Sequence, residues 1–251
     1  MPEATGIITG SGLAGALAGV PAGGIATRWG DASAAPARID LGGGSAWVLP
    51  RHGLHHDIPA HRINYRANIA RLHEQGVRRI VALNTVGVIT SICRPGQLAV
   101  PRQLLDYTWG RESSYFDGGA DGLRHIEFTE PFAPVVRAAL LAAARRSGVD
   151  CVDGGVYAVV QGPRLETAAE IDRLERDGAD LVGMTALPEA ALAAELGIDY
   201  ACLALAVNAA AGRGCGPIHA DVAANSAAAR AAALTVLTAF LGGANGRTGQ
   251  S

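Results

Sequence analysis

The alternation of strand-like and helix-like segments most constrains how this chain can fold. Short apolar runs rich in β-branched residues alternate with longer helical runs over most of the 251 residues. This order is typical of a parallel or mixed sheet with helices on both faces, and the length suits one such domain. The sequence therefore predicts a single-domain α/β fold over residues 1–251, with a mixed central β-sheet flanked by helices. Predicted strands are Thr5–Ile8, Ala46–Leu49, Ile80–Asn84, Leu98–Val100, Val156–Gln161, Leu181–Gly183 and Tyr200–Val207, and predicted helices are Ala60–Glu74, Glu130–Ser147, Thr167–Asp177, Pro188–Leu196 and Asp221–Leu241.

Glycine and polar residues mark the expected boundaries of these elements. Gly76, Gly148 and Gly178 follow predicted helices, as residues that end a helix in the left-handed conformation do. Two glycine-rich stretches, 19–44 and 107–124, are predicted to be loops. The Gly/polar tail 242–251 is predicted to be disordered.

Composition limits the class of partner. The net charge of −2 gives no electrostatic case for nucleic acid or an anionic membrane. We see no signal peptide and no apolar run of the ~18 residues that a membrane span needs. Four scattered cysteines without a C-x-x-C pair are expected to be free thiols in a reducing, cytoplasmic compartment. His55, His56 and His61 lack carboxylate or cysteine partners at ligand spacing, so we predict no metal.

An anion site is predicted where Gly183-Met184-Thr185 leads into an Ala/Leu-rich helical run. Backbone N–H groups, a hydroxyl and a helix start meet there, and such a place suits an anion. Further along, Asn208 follows an apolar strand and puts an uncharged amide at a strand end, where open α/β sheets bind ligands. The two features together indicate a phosphate beside a hydrogen-bonding small molecule.

Two N-terminal strand ends carry further groups for an anion, each with an ordinary alternative. The Gly-Ser-Gly sequence at 10–12 could hold a phosphate through its hydroxyl and N–H groups, or form a simple turn. Arg51 and His52 offer donors for phosphate oxygens, or belong to a solvated loop. Either reading fits each site taken alone.

Two later strand ends complete the set. Asn84-Thr85-Val86-Gly87 adds N–H groups and a hydroxyl. Glu166 could accept a hydrogen bond from a heterocycle or be an exposed first-turn carboxylate, whereas we expect Thr167 to cap the next helix with Glu170. Because strand ends of such sheets converge in space, five sites of this kind predict one crevice.

These sites belong to longer blocks that resemble a known family, the trimeric purine nucleoside phosphorylase and methylthioadenosine phosphorylase superfamily. The blocks occur in order over nearly the whole chain, and their combination is highly specific. They are GSGL at Gly10–Leu13, RHG at Arg51–Gly53, INYRANI at Ile63–Ile69, NTVG at Asn84–Gly87, RPGQL at Arg94–Leu98, HIEFTEPF at His125–Phe132, GGVYAVVQGPRLETAAEI at Gly154–Ile171, GADLVGMTALPEAALA at Gly178–Ala193 and YACLALAVN at Tyr200–Asn208.

The resemblance implies a role for each matching residue. Inorganic phosphate would be a co-substrate, with no cofactor or metal. His125 would reach the 5′ pocket of a neighbouring subunit, which implies a homotrimer or a dimer of trimers. The implied catalytic residues are Asn208, Glu166 and His52; the phosphate ligands are Ser11, Arg51, His52, Thr85 and Thr185; the substrate contacts are Val86, Gly87, Leu165, Glu166, Gly183, Met184, Asn208 and His125, with the region of Tyr65 as a further ribose contact.

The chain departs from the methylthioadenosine branch at the base site. That branch carries Asp at the position of Asn208, Asp at that of Ala210 and Ser at that of Glu166. A 6-oxopurine offers an O6 acceptor and an N1–H donor, which an amide and a carboxylate can match. The sequence therefore favours hypoxanthine-type bases over adenine, since mismatched polar groups are heavily penalised.

The segment 212–224 is expected to line the 5′ end, through Ile218, His219, Ala220 and Val222. Its small and aliphatic character favours a methylthio group, although His219 could serve a 5′-hydroxyl. The expected reaction is phosphorolysis of S-methyl-5′-thioinosine to hypoxanthine and 5-methylthioribose 1-phosphate. The alternatives are an inosine/guanosine phosphorylase, a methylthioadenosine phosphorylase and a non-catalytic purine-nucleoside binding protein.

Overall fold

The computed structural model describes residues 4–13 and 15–245, and the predicted mixed α/β architecture is confirmed. Helices and strands alternate much as expected. The strands are β1 (Ala4–Thr9), β2 (Val20–Pro21), β3 (Ala26–Thr27), β4 (Gly30–Asp31), β5 (Ala37–Leu41), β6 (Gly44–Pro50), β7 (Val77–Val88), β8 (Leu98–Val100), β9 (Gln103–Tyr107), β10 (Cys151–Asp153), β11 (Val156–Val160), β12 (Leu181–Gly183) and β13 (Asp199–Ala209). The α-helices are α1 (Tyr65–Glu74), α2 (Pro134–Arg146), α3 (Ala168–Arg176), α4 (Ala186–Glu195) and α5 (Ile218–Asn245), and two 3-10 helices cover Ala60–Arg62 and Gly119–Asp121.

The main sheet branches at β7. One path runs in the order β10-β8-β13-β7-β1-β6-β5-β2, with β1, β6, β7 and β13 parallel to their neighbours in the centre. The end of β7 also pairs with β12 in antiparallel fashion, and β12 leads to β11 and β9. The long strand β7 therefore belongs to both parts of the sheet, while β13 pairs with β7 and β8 on the first path.

Helices cover both faces of the sheet, as predicted. Successive residues of a strand point to opposite faces. Ile8 accordingly packs in a core cluster with residues of α1 and α4, while Ile7 packs in a second cluster with residues of α2 and α5. Burial of these two apolar layers is the main favourable contribution to folding.

Several boundaries differ from the sequence prediction. The stretch 19–44 contains four short strands and is not simply a loop. Strands β7 and β13 continue past their predicted ends, because the second branch of the sheet supplies further pairing for β7. Helix α5 extends through Asn245, so only 246–251 of the predicted tail lies outside the described residues. The three helix-ending glycines all have positive φ, as predicted, and the four cysteines are free.

Helix α5 has the length and composition of a possible membrane span. One side of it nevertheless packs against β13 and α2, with Ala233 and Leu237 fully buried there. A helix covering a sheet needs an apolar face of this kind. We therefore assign α5 to the core of the domain.

Candidate active site

A cavity of 780 Å³ lies beside the ends of β7 and β13, where β7 also pairs with β12. Its volume is in the range of small-molecule sites. The residues predicted to bind phosphate or substrate line it, except His125, Tyr65 and Ala220. They come from the ends of β1, β6, β7, β12 and β13, the loop before α3 and the start of α5, which is the convergence that the strand ends predicted. The lining comprises Gly10, Ser11, Gly12, Arg51, His52, His56–Ala60, Thr85, Val86, Gly87, Pro163, Leu165, Glu166, Val182–Thr185, Val207, Asn208, Ile218, His219, Val222, Ser226 and Arg230.

Arg51 is fully buried and paired with Glu189 of α4. Its Nε and Nη2 donate to the two carboxylate oxygens at 2.5 and 2.9 Å, and Nη1 donates to the Leu83 carbonyl at 3.1 Å. Tyr200 donates a further bond of 2.9 Å to Glu189. Burial opposes the charge on Arg51, but attraction to Glu189 outweighs it and raises the pKa of the guanidinium. Arg51 thus reaches the cavity with its charge already balanced.

His52 is held as a neutral imidazole. Its Nδ1 lies 2.8 Å from the Ile58 carbonyl, and an imidazole nitrogen facing a carbonyl must carry the hydrogen. Burial and then the charge of Arg51 lower the pKa of His52 to about 4. This tautomer leaves Nε2 as an acceptor, so His52 can take a proton or hydrogen bond from a ligand but brings no positive charge at neutral pH.

Thr185 precedes α4 and is oriented by Asn84. The Asn84 amide donates to Thr185 Oγ1 at 2.7 Å, while its Oδ1 accepts from Cys202 Sγ at 3.2 Å. Since Oγ1 receives this bond, its own hydrogen can be donated elsewhere. The side chain makes no capping bond to α4, whose backbone is non-helical at Leu187. The free hydroxyl hydrogen of Thr185 suits an anion.

The 10–12 loop approaches the same end of the cavity. Gly12 has a φ of +76°, which favours glycine. Ser11 Oγ lies 3.5 Å from His56 Nε2, and the rings of His52 and His56 are 4.7 Å apart. The sequence analysis did not predict that His56 lies at the site, because His55, His56 and His61 were considered only as metal ligands. The described residues contain no group of three His, Cys, Asp or Glu side chains that could hold a metal.

Asn208 lines the cavity where β13 pairs with Gly87, and a bulge in β13 positions it. The pairing of β13 with β7 shifts register between Ala206 and Asn208, so that Asn208 pairs with Gly87. Its Nδ2 donates to the Ala209 carbonyl at 2.8 Å. The second amide hydrogen and Oδ1 remain for a ligand. A Cβ on Gly87 would lie 3.1 Å from this amide, so a side chain at this position would crowd it.

Glu166 lines the same cavity as Asn208. Thr167 caps α3 and forms the predicted capping box with Glu170, which fixes the segment just before the helix. The neighbouring Arg164 pairs with Glu170 at 2.7 and 2.8 Å. Glu166 is left half-buried in the cavity wall, and burial raises the pKa of its carboxyl. A carboxylate with a perturbed pKa in a cavity wall is a candidate to accept a hydrogen bond from a ligand N–H.

Arg111 holds the wall together and was missed in the sequence. Its guanidinium donates to the carbonyls of Met184, Leu187, Val160 and Gln161 at 2.6 to 3.2 Å. The Arg111 side chain thus links Met184, the predicted sugar contact, to the end of β11, which precedes Glu166 in the sequence. Its position in a predicted loop gave no signal for this role.

Three of the residues predicted to contact the substrate do not line the cavity. His125 is exposed and does not line the cavity, which leaves its role in a neighbouring subunit a prediction. Tyr65 is buried outside the cavity, with its hydroxyl donating to the Ala60 carbonyl at 2.8 Å. Of the 5′ candidates, Ile218, His219 and Val222 line the cavity and Ala220 does not.

Glu189 is the other important residue that sequence reasoning left without a role. The signal was present, because a carboxylate stands within the apolar run Ala186–Ala193. Acids are rarely buried unless they are paired. Such a residue predicts a buried cation opposite it, and Arg51 is that cation.

Comparison with known proteins agrees with this geometry. The model of the Phosphorylase superfamily matches residues 5–242. A probable S-methyl-5′-thioinosine phosphorylase of Xanthomonas campestris is 54% identical over 66% of this chain and 66% of its own length. A 6-oxopurine nucleoside phosphorylase of Pyrococcus furiosus is 45% identical over 65% of this chain and 64% of its own. The aligned region thus spans about two thirds of these relatives.

Solved structures extend the similarity to the whole fold. Methylthioadenosine phosphorylase of Schistosoma mansoni, in complex with tubercidin, superimposes with a TM-score of 0.87 at 29% identity. The superposition covers 99% of this chain and 93% of that one. The chain therefore belongs to the phosphorylase superfamily.

Proposed function

We propose that this protein catalyses the phosphorolysis of S-methyl-5′-thioinosine to hypoxanthine and 5-methylthioribose 1-phosphate. The substrate is a purine nucleoside, the co-substrate is inorganic phosphate, and no cofactor is required. Curated relatives named for this activity, at 54 and 50% identity, support the proposal.

The observation that carries the proposal is that Asn208 and Glu166 line one cavity, and we assign them to its base end. The free amide hydrogen of Asn208 matches a purine O6 or N7, and Glu166 matches N1–H. Ala210, buried behind them, offers no side-chain acceptor to an exocyclic amine. A 6-oxopurine therefore satisfies this wall, whereas adenine would leave polar groups unpaired at high cost.

Phosphate would occupy the other end, against Ser11, Thr85, Thr185 and the Arg51–His52 turn. It attacks C1′ of the ribose from the face opposite the base, and the N-glycosidic bond breaks as the new C–O bond forms. Asn208 stabilises the negative charge that develops on the departing purine. No covalent intermediate with the protein is needed, so the rate enhancement rests on positioning and charge.

The wall next to the ribose supports a 5′-methylthio group. Ile218 and Val222 lie one helical turn apart on the cavity face of α5 and give it an apolar surface. His219 also lines the cavity and could serve a 5′-hydroxyl. For this reason an inosine/guanosine phosphorylase is the second candidate, and relatives named 6-oxopurine nucleoside phosphorylase support it.

Assembly and compartment are part of the same proposal. We expect a cytoplasmic homotrimer, or a dimer of trimers, in which the exposed His125 contributes to the site of a neighbouring subunit. Removal of that imidazole in a His125→Ala variant should then raise the KM for nucleoside without changing the KM for phosphate.

One assay tests the function. Release of free base from methylthioinosine, inosine and methylthioadenosine is measured with and without phosphate. We expect phosphate-dependent release, fastest from methylthioinosine. Preference for inosine would support the second candidate, preference for methylthioadenosine would contradict the role of Asn208, and nucleoside binding without release would indicate a non-catalytic binding protein.

A further inference from the structure

The phosphate end of the cavity lacks an unbalanced positive charge in its predicted ligands. Ser11, Thr85 and Thr185 contribute neutral hydroxyls. The charge of Arg51 is balanced by Glu189 at 2.5 Å, with both side chains fully buried. His52 is neutral, since its pKa is lowered to about 4 by burial and by Arg51. A phosphate dianion taken out of water needs compensating charge, so another cation is required.

The chain contains no lysine, so arginine and histidine are the side chains that could supply this charge, and only arginine is charged at every physiological pH. Among the described lining residues, the arginines are Arg51 and Arg230. Arg230 lies on α5 and is half-buried. No carboxylate of the described residues forms an ion pair with it, whereas Arg213 just before α5 pairs with Asp172 and Glu175. Arg230 thus brings an uncompensated charge into the cavity wall.

Its position is against the 10–12 loop. A Cβ added to Gly12 would lie 2.5 Å from Nη1 and 3.2 Å from Cζ of Arg230, so the guanidinium occupies the space beside this glycine. Gly12 thereby meets two demands, a positive φ and room for the guanidinium. The loop that offers N–H groups to an anion and the free arginine are therefore neighbours.

The helix explains how one element serves two ends of the cavity. Ile218, Val222, Ser226 and Arg230 are spaced by four residues, and all four line the cavity, which makes them one stripe along α5. Its first members are aliphatic and its last is cationic. Side chains on a helix lean toward its N-terminus, so Arg230 extends back along this stripe toward the site.

We propose that Arg230 is a phosphate-binding residue that supplies the positive charge for the co-substrate dianion. The proposal rests on the proposed phosphorolysis for its ligand. Its guanidinium donates to phosphate oxygens from the side of the 10–12 loop, while the Arg51–Glu189 pair stays intact beneath.

Steady-state kinetics of the Arg230→Gln and Arg230→Lys variants test this role. The KM for phosphate is measured at saturating nucleoside, and the KM for nucleoside is measured at saturating phosphate. A charge-assisted hydrogen bond is worth enough that Arg230→Gln should raise the KM for phosphate about tenfold or more. The KM for nucleoside should stay within about twofold, and the lysine variant should recover most of the loss. Arg146→Gln is the matched control, since Arg146 also bonds α5, at the Ala239 carbonyl, but lies outside the cavity lining.

The stabilisation of the protein by phosphate alone, measured as a shift in Tm, separates the two proposals. A phosphate-induced shift that is present in the wild type and lost in Arg230→Gln supports the role of Arg230 even if no base is released. Base release by the wild type with an unchanged phosphate KM in Arg230→Gln overturns it, as does a rise in nucleoside KM alone. Equal loss in Arg146→Gln would show that α5 packing, and not the charge, matters.

Discussion

The polar side chains at the two ends of the cavity differ in how far the protein itself satisfies their hydrogen bonds and charges. At the phosphate end, Arg51 is paired with Glu189 and Thr185 is oriented by Asn84, so these groups are satisfied without a ligand. At the base end, none of the described arginines forms an ion pair with Glu166, and Asn208 makes one bond, to the adjacent Ala209. We infer that substitutions of the paired groups at the first end affect mainly stability, whereas substitutions at the second affect mainly substrate choice.

The largest effect is expected from Glu189→Gln. The variant removes the charge that balances Arg51, and an uncompensated buried charge costs about 3–5 kcal/mol in the free energy of unfolding. Chemical denaturation followed by circular dichroism measures this loss. A variant as stable as the wild type but unable to bind phosphate would break the comparison, because the pair would then act on the ligand.

Two further variants show which interaction of Glu189 causes the loss of stability. Tyr200→Phe removes only the third bond to Glu189 and should cost about 1 kcal/mol. Adding Arg51→Met to Glu189→Gln removes both charges and should restore part of the lost stability.

The next largest effect is expected from Asn208→Asp at the base end. A carboxylate has no hydrogen to donate to O6 or N7, so kcat/KM for methylthioinosine should fall about 100-fold, as for loss of one transition-state donor. Activity on methylthioadenosine should rise, because Asp accepts from the 6-amino group. Adding Glu166→Ser should raise it further. Unchanged base preference would contradict the assigned role.

The sequence predicted the fold well where periodicity decides it. The alternating layers followed from local patterns, and the capping box of Thr167 with Glu170 followed from spacing alone. The extension of β7 through Val88 could not be predicted in this way, because it depends on pairing with the distant strand β12. The strands within 19–44 were hidden by their shortness and glycine content.

The candidate site was predictable as a set of residues but not as a network. Strand ends and motif blocks identified the lining, including Thr185 and Asn208. Nothing local to Arg51 revealed that Glu189, far along the chain, would balance its charge. The bonds of Arg111 to backbone carbonyls were equally hidden, since a carbonyl partner leaves no mark in the amino-acid sequence. The pairing of charges and hydrogen bonds in the site was therefore visible only in the structure.

A smaller effect at the base end is expected from Glu166→Gln. The amide can present its oxygen to N1–H, so only the charged character of the bond is lost, and kcat/KM for methylthioinosine should fall about tenfold. In the wild type, burial raises the pKa of the carboxyl above its usual value of 4.5. Activity should consequently decline as the pH falls toward this raised pKa, and the decline should be weaker in the variant. Identical pH profiles would exclude the ionised carboxylate as the acceptor.

The smallest effect at neutral pH concerns His52, and it tests whether the phosphate end contributes to stability. Burial and Arg51 lower the pKa of His52 from 6.5 to about 4, so between these pH values the unfolded chain binds a proton that the folded protein does not bind. The free energy of unfolding should therefore fall as the pH falls from 6.5 toward 4, by no more than about 1.4 kcal/mol per pH unit for one such group. His52→Gln removes this dependence, and the difference in unfolding free energy between variant and wild type should change in that window and stay constant above it. A constant difference across all pH values would mean that His52 titrates normally, and the phosphate end would then carry a positive charge of its own at mildly acidic pH.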